Sequence, residues 1–387
     1  MTSVPRPISD EDTTAAPGVP PRISIELTNI CKLHCSYCMR DEDALYHSPA
    51  NFFSVELLKR IIQGARSAYG IGYVSFTGGE VTIHPRFKEI VEMVAAEGVQ
   101  FSFVTNGWHF ARVYPLLVAN REAVRAVAFS LDGADKASHD RWRGEGSFVR
   151  VMRGITLCYT SGIPFILKVG IRRDTLPHLQ EFALLAARLG ARALHFSHFL
   201  PTSSALEDES ALTPDERTQS EQEIAILSNI LKMEIGLAAG YSNIDPAPPC
   251  ASLRGTTCNV DYRGRLTLCC NLSGYRGAGE DTDVVADLHK EDFAAAYPRL
   301  LDLIEVQLER RRRALAEHRA AGREVDLYTG SPCLFCLQSF GKIPWRDSAT
   351  AAAAGIKIRS LPILNRTLAA NTSAAHDAAL AGATKLV

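Results

Sequence analysis

The chain reads as an α/β protein built on a parallel sheet, and two observations carry that expectation. Over roughly residues 22–200, apolar runs of strand length alternate with segments of helical period. The polar residues of this stretch gather at the ends of the apolar runs, and in parallel α/β proteins the loops at the carboxyl ends of the strands converge on one ligand-binding face.

The pattern predicts strands at 22–27, 73–77, 101–105, 126–131, 165–171 and 193–199. Amphipathic stretches at 55–68, 85–97, 111–118, 147–161 and 177–189 have apolar positions three and four apart and predict the intervening helices. Six such units form an open sheet or an incomplete barrel, and periodicity does not choose between them. The alternation stops near residue 200. Residues 203–249 read as a helical bridge closing in a Pro-rich turn, 250–345 as a smaller domain with a helical insertion at 275–332, and 346–387 as an Ala-rich tail.

Bulk properties bound the function. The 387 residues are 46% hydrophobic and 22% charged, with a formal net charge of −1. That balance gives no footprint for nucleic acid or an anionic membrane, and no apolar run approaches the roughly 20 residues of a membrane span. Residues 1–21 read as disordered and lack the basic–apolar order of a targeting segment. Ten cysteines without a secretory signal point to a reducing compartment, so the expectation is a cytoplasmic protein.

The chemistry starts just past the first strand, where Cys31, Cys35 and Cys38 lie in Cys-Lys-Leu-His-Cys-Ser-Tyr-Cys. Three thiolates can hold three corners of a [4Fe–4S] cube and leave the fourth iron open to a small ligand. Zinc stays open on ligand type, with His34 as a fourth donor, and disulfides suit a secreted chain better. Strand two ends in Thr77-Gly78-Gly79-Glu80, where paired glycines let backbone approach a ligand and Glu80 offers a carboxylate to a ligand ammonium. Strand three ends in Thr105-Asn106-Gly107, and strand four in Ser130-Leu131-Asp132-Gly133. Each alone is an ordinary turn signal.

In combination, with Tyr37 as the aromatic before the last cysteine, these motifs resemble the radical S-adenosylmethionine (radical SAM) superfamily over about residues 22–200. The resemblance implies a partial (β/α)6 barrel and a catalytic [4Fe–4S] cluster on Cys31, Cys35 and Cys38. S-adenosylmethionine then chelates the open iron and yields a 5′-deoxyadenosyl radical that abstracts a substrate hydrogen. It also implies Gly78, Gly79 and Glu80 at the methionine amino group, Asn106 among the cofactor-binding residues, and Ser130 and Asp132 near the ribose. Gly170 and Ile171 fall where the family places backbone near the adenine, although Arg172-Arg173 depart from the fuller pattern. Arg143 resembles an arginine that holds the methionine carboxylate, and reads equally as a surface charge.

A second set follows: Cys250, Cys258, Cys269, Cys270, Cys333 and Cys336, with a hairpin around Gly264. Two separated cysteine pairs suit structural zinc. Beside a radical SAM core they resemble the SPASM and twitch auxiliary-cluster modules. Full SPASM needs seven cysteines. The shorter twitch form implies one auxiliary [4Fe–4S] cluster on Cys250, Cys269, Cys333 and Cys336, with Cys270 able to replace Cys269. Cys258 and Cys158 read as packed thiols, and the run Arg310-Arg311-Arg312-Arg313 as a solvated helix face rather than a basic patch.

The functional expectation is a radical SAM oxidoreductase or maturase, whose auxiliary cluster passes electrons in a net oxidation, with a peptide as substrate. Two alternatives stand beside it: dehydrogenation of a small molecule such as a sugar alcohol or aminocyclitol, and a non-enzymatic zinc scaffold. The expected partners are an electron donor such as flavodoxin or ferredoxin and a separate peptide-recognition protein, since 21 leading residues are too few to fold as one. No residue stands out as a general base; Tyr37, His195 and His198 are possible neighbours of the substrate.

Overall fold

The computed structural model describes residues 22–35, 37–38, 49–200, 211–273 and 281–343. The expectations for 1–21 and 346–387 fall outside these residues. In chain order the first elements are β1 (Arg22–Glu26), α1 (Val55–Tyr69), β2 (Tyr73–Thr77), α2 (Phe87–Ala96), β3 (Gln100–Thr105), α3 (Phe110–Ala119) and β4 (Val124–Ser130). Then come α4 (Lys136–Arg143), α5 (Ser147–Ser161), β5 (Phe165–Ile171), α6 (Leu179–Leu189) and β6 (Ala193–His198). All six expected strands form.

Local chemistry explains the elements. In α1, Ser54 caps the first turn by accepting from Leu57 N, and Gly70 closes the last turn in the left-handed region. Its Leu57, Leu58, Ile61, Ile62 and Ala65 make one buried stripe against the sheet.

Strands β1 to β6 are parallel and neighbour one another in chain order. Alternation gives the sheet two unlike faces. Ile23, Ile25, Val74, Phe76, Phe101, Phe103, Val127, Phe129, Leu167, Val169, Leu194 and Phe196 are all essentially buried on the helix-covered face. The opposite face carries Ser24, Glu26, Ser75, Ser102, Ser130, Lys168, His195 and Ser197. The sheet rolls around this polar face. In a flat sheet β1 and β5 would lie about 19 Å apart, yet Arg22 of β1 acts electrostatically on Lys168 of β5. Arg22 and Arg125 also both overlie the Tyr73 ring, at 6.0 and 4.7 Å. The result is an open barrel with a polar lumen.

Two features depart from the sequence reading. The segment read as a helical bridge holds α7 (Pro214–Ile230) and a strand, β7 (Glu234–Ala239), parallel to β6. Helix α7 completes the sixth strand–helix unit and β7 adds a seventh parallel strand, invisible as an apolar run because only Ile235 and Leu237 of Glu-Ile-Gly-Leu-Ala-Ala are large and apolar. Beyond Cys250 come β8 (Thr257–Val260), β9 (Arg265–Thr267), α8 (Cys270–Ser273), β10 (Val284–Asp287), α9 (Phe293–Ala320) and α10 (Pro332–Ser339). The hairpin forms around Gly264, whose φ is +79°. It does not stand apart: β8 pairs in parallel with β1, so one ten-stranded sheet runs β10-β9-β8-β1-β2-β3-β4-β5-β6-β7.

Helix α9 fills the insertion and packs on α1 through Tyr69 and Tyr297, ring centroids 5.2 Å apart. Within its arginine run, Arg311 corrects the solvated reading. It is buried and donates to the carbonyls of Asn243 and Asp245, bracing the turn before Cys250. Arg312 and Arg313 stay outside, near Glu309. Among the described residues no helix is long and apolar enough to cross a membrane.

Candidate active site

Cys31, Cys35 and Cys38 line one cavity of about 110 Å³ with Gly78, Gly79, Glu80, Asn106, Ser130 and Arg143. The loop that carries the thiols leaves β1 and is fixed against the end of β2. Gly79 N donates to Thr28 O at 2.7 Å, and Glu80 N donates to Ile30 O at 2.9 Å. A Cβ on Gly79 would stand 1.8 Å from Ile30 O, and one on Gly78 2.4 Å from Thr28 O. Gly78 also sits at φ +130°. The paired glycines thus admit the incoming cysteine loop, and both still line the cavity. Gly79→Ala is expected to cost about 3 kcal/mol through this overlap, read as a lower urea midpoint at unchanged slope.

Glu80 is buried and spends most of its carboxylate on the fold. Oε1 accepts from Thr82 N, Thr82 Oγ1 and Thr105 Oγ1, and Oε2 accepts from Asn106 N at 2.7 Å. Burial pushes its pKa up against these donors. Oε2 keeps acceptor capacity toward the cavity. Asn106, held by that bond, turns its Nδ2 to Cys31 Sγ at 3.4 Å, and Leu33 N reaches the same sulfur at 3.4 Å.

Asp132 is not among the residues lining the cavity. It is 1% exposed, and its carboxylate faces Arg143, Arg172 and Tyr37 rather than the cavity. A buried carboxylate needs paired charges, and these two arginines supply them. The link matters because Tyr37 sits between Cys35 and Cys38, so its hydroxyl ties the cysteine loop to the end of β4. Arg143 engages Asp132 through Nε, its sole hydrogen bond among the described residues, and its fork borders the cavity. Arg172, a departure from pattern in the sequence, is fully buried and also stacks on Trp142 at 4.1 Å.

Three further candidates are not among the residues lining that cavity. Gly170 is small because Phe199 packs there: a Cβ would meet that ring at 2.3 Å. Phe199 in turn stacks on Tyr37, centroids 4.5 Å apart. Ile171 is buried on the helix-covered face. His198 is a packing histidine, bonded to Gly240 O at 3.0 Å and Ser220 Oγ at 2.7 Å. His195 alone of the two histidines belongs to the lumen.

A second cavity is lined by Cys250, Cys269, Cys333 and Cys336 with Leu253, Leu268, Leu272 and Leu337. Gly240 N donates to Cys333 Sγ at 3.3 Å, and Gln307 Nε2 to Cys336 Sγ at 3.5 Å. Cys270 is a close neighbour of Cys269, while Cys258 and Cys158 are buried in the core.

The donor sets fit multi-iron clusters. All ten thiols are free. Burial, reinforced by Glu80, pushes the Cys31 thiol up to about 12, and burial raises Cys333 to about 12. Such thiols give up protons readily only to a cation that binds them. Among the described residues no three His, Cys, Asp or Glu groups converge closely enough to hold a single ion.

Residues 25–186 match the model of the radical SAM superfamily. The chain is 33% identical over 195 residues to the mycofactocin maturase MftC of Mycolicibacterium smegmatis, covering 49% of this chain and 48% of that protein. It is 31% identical over 186 residues to the AdoMet-dependent heme synthase of Nitratidesulfovibrio vulgaris, covering 47% and 49%. The chain thus spans about half the length of these curated relatives. Among solved structures, a histidine-tagged anSMEcpe with bound AdoMet has a TM-score of 0.60 at 15% identity, over 91% of this chain and 98% of that one. Streptococcus suis SuiB bound to S-adenosylmethionine has 0.56 at 14% identity, over 73% and 68%. At such identities these two likenesses establish the fold alone. Residues 25–186 are a radical SAM domain, and the cofactors of that family are a [4Fe–4S] cluster and S-adenosylmethionine.

Proposed function

We propose that the protein is a radical SAM maturase that oxidises a peptide with the help of an auxiliary cluster of the twitch type. The observation that carries this reading is a pair of cysteine-lined cavities on one sheet, the first with three thiols and the second with four. Bound in the first, the cluster and S-adenosylmethionine supply a 5′-deoxyadenosyl radical for hydrogen abstraction.

The chain's own residues have separable tasks. Cys31, Cys35 and Cys38 would hold the catalytic cluster, three thiols being one fewer than a closed cube takes. Gly78, Gly79 and the free face of Glu80 Oε2 receive the methionine ammonium, and the Arg143 fork receives its carboxylate. Ser130 lies on the ribose side, and Asn106 donates toward Cys31 Sγ. Cys250, Cys269, Cys333 and Cys336 would hold the auxiliary cluster, and a cluster held by four thiols would supply electron relay without a substrate-binding position. A flavodoxin or ferredoxin would supply the reducing electron, and a separate recognition protein would present the peptide.

The test is anaerobic. Reconstituted protein is expected to be brown, to hold about eight irons per chain, and to form 5′-deoxyadenosine only with a reductant. A colourless zinc protein forming none would end the proposal. Cys333→Ser should keep deoxyadenosine formation while losing oxidised product. If product persists, the second cluster is not an electron relay. Oxidation of a small molecule is the second reading, favoured by the polar face that lines the lumen; turnover of an aminocyclitol without any peptide would establish it.

A further inference from the structure

Inside the barrel lies a cationic group that the cofactor site leaves unused. Ser130, Lys168 and His195 are register partners on β4, β5 and β6, so the three side chains share one row on the lumen face. Ser130 borders the three-cysteine cavity. Across the lumen Arg22 acts on both Lys168 and His195, and Cys270, beside Cys269 of the second cavity, acts on Lys168. Lys168 is thus the register neighbour of a residue that borders the first cavity, and it feels the charge of a cysteine beside the second.

Its ammonium makes no hydrogen bond or ion pair among the described residues. That sets this half-buried lysine apart from the more deeply held cations. Arg143 and Arg172 share Asp132, Lys342 meets Asp283 at 2.7 Å, and Arg217 and Arg311 donate to backbone carbonyls. The carboxylate on the same face, Glu26, is held by Asn259 and Ser273. His195 Nε2 is buried with no hydrogen-bond partner. A half-buried ammonium without a counter-charge, next to an unfilled polar atom, is costly unless an anion arrives.

We propose that Lys168, with Arg22 and His195, receives an oxyanionic group of the substrate, a carboxylate or a phosphate. On the peptide reading above, which this inference deepens, the group is an acidic side chain or a free C-terminus. Anchored there, the neighbouring carbons lie between the S-adenosylmethionine cavity and the auxiliary cavity.

The test uses pyridoxal phosphate, an anionic aldehyde that forms an imine with a lysine beside an anion site. Full-length reconstituted protein holding S-adenosylmethionine is treated with it, fixed with borohydride and mapped by mass spectrometry. Label is expected at Lys168. Saturating malonate or inorganic phosphate should lower it about tenfold by mass action, with no effect on the exposed Lys88. The anion that protects at lower concentration identifies a carboxylate or a phosphate substrate. Lys168→Arg keeps the charge and should abolish that label alone. No label at Lys168, or label indifferent to both anions, overturns the proposal. Labelling needs no turnover, so protected label with no deoxyadenosine would sink the radical reading and leave the anion site standing; the reverse would sink only the anion site.

Discussion

Cys35→Ala should reduce reductant-dependent 5′-deoxyadenosine to the level seen without enzyme. The side chain lies in a loop and supports no strand, so the fold should survive. Iron should fall from about eight to about four per chain, because only the first cube depends on this thiol. Cys258→Ala is the matched control. That thiol is fully buried on β8, and burial pushes its pKa up, yet it borders neither cavity. Its loss should lower the unfolding midpoint and leave iron and deoxyadenosine unchanged. Deoxyadenosine at wild-type rates from Cys35→Ala would remove Cys35 from the ligand set.

Asp132→Asn should be the most destabilising single change at the site, at about 3–5 kcal/mol, because it leaves two buried guanidinium groups without their shared counter-charge. Burial alone would raise the Asp132 pKa, but Arg143 and Arg172 outweigh it and hold the group below the ordinary carboxylate range. The sign follows. Stability from the ionised carboxylate is fully present above the unfolded value of about 3.9 and is lost as pH falls through the lower folded value. Urea midpoints of wild type and variant should therefore differ most at neutral pH and converge in strong acid. Tyr37→Phe removes one hydrogen bond to that carboxylate and should cost about 2 kcal/mol. Equal midpoints for Asp132→Asn and wild type at pH 7 would show that the arginines find other partners.

Much of this was legible in the sequence because the barrel's outer face writes itself as Ile, Val, Leu and Phe. The strand boundaries at 73–77 and 165–171 match the structure to the residue. The site motifs were legible for the same topological reason: each lies where a parallel strand ends. What could not be read depends on distance along the chain. Nothing local says that Cys258 will lie beside Ile23, or that Arg172 and Arg143 will meet on one carboxylate. Arg172 therefore reads as a departure from a pattern when it is part of the scaffold. Lys168 did leave a signal. A lysine in Phe-Ile-Leu-Lys-Val-Gly-Ile is an inward position in an otherwise apolar strand, and such a residue belongs to a lumen rather than to a core.

The seam between β8 and β1 limits how this chain can be shortened. A fragment ending before residue 250 would keep every motif of the N-terminal half but strip Arg22–Ile25 of their partners on the β8 side, leaving only β2 beside them. An unprotected border of that kind recruits strands from other molecules. Trimmed versions made to isolate the first chemistry should precipitate or pair up, and the border strand they expose is the one that leads into the thiol loop.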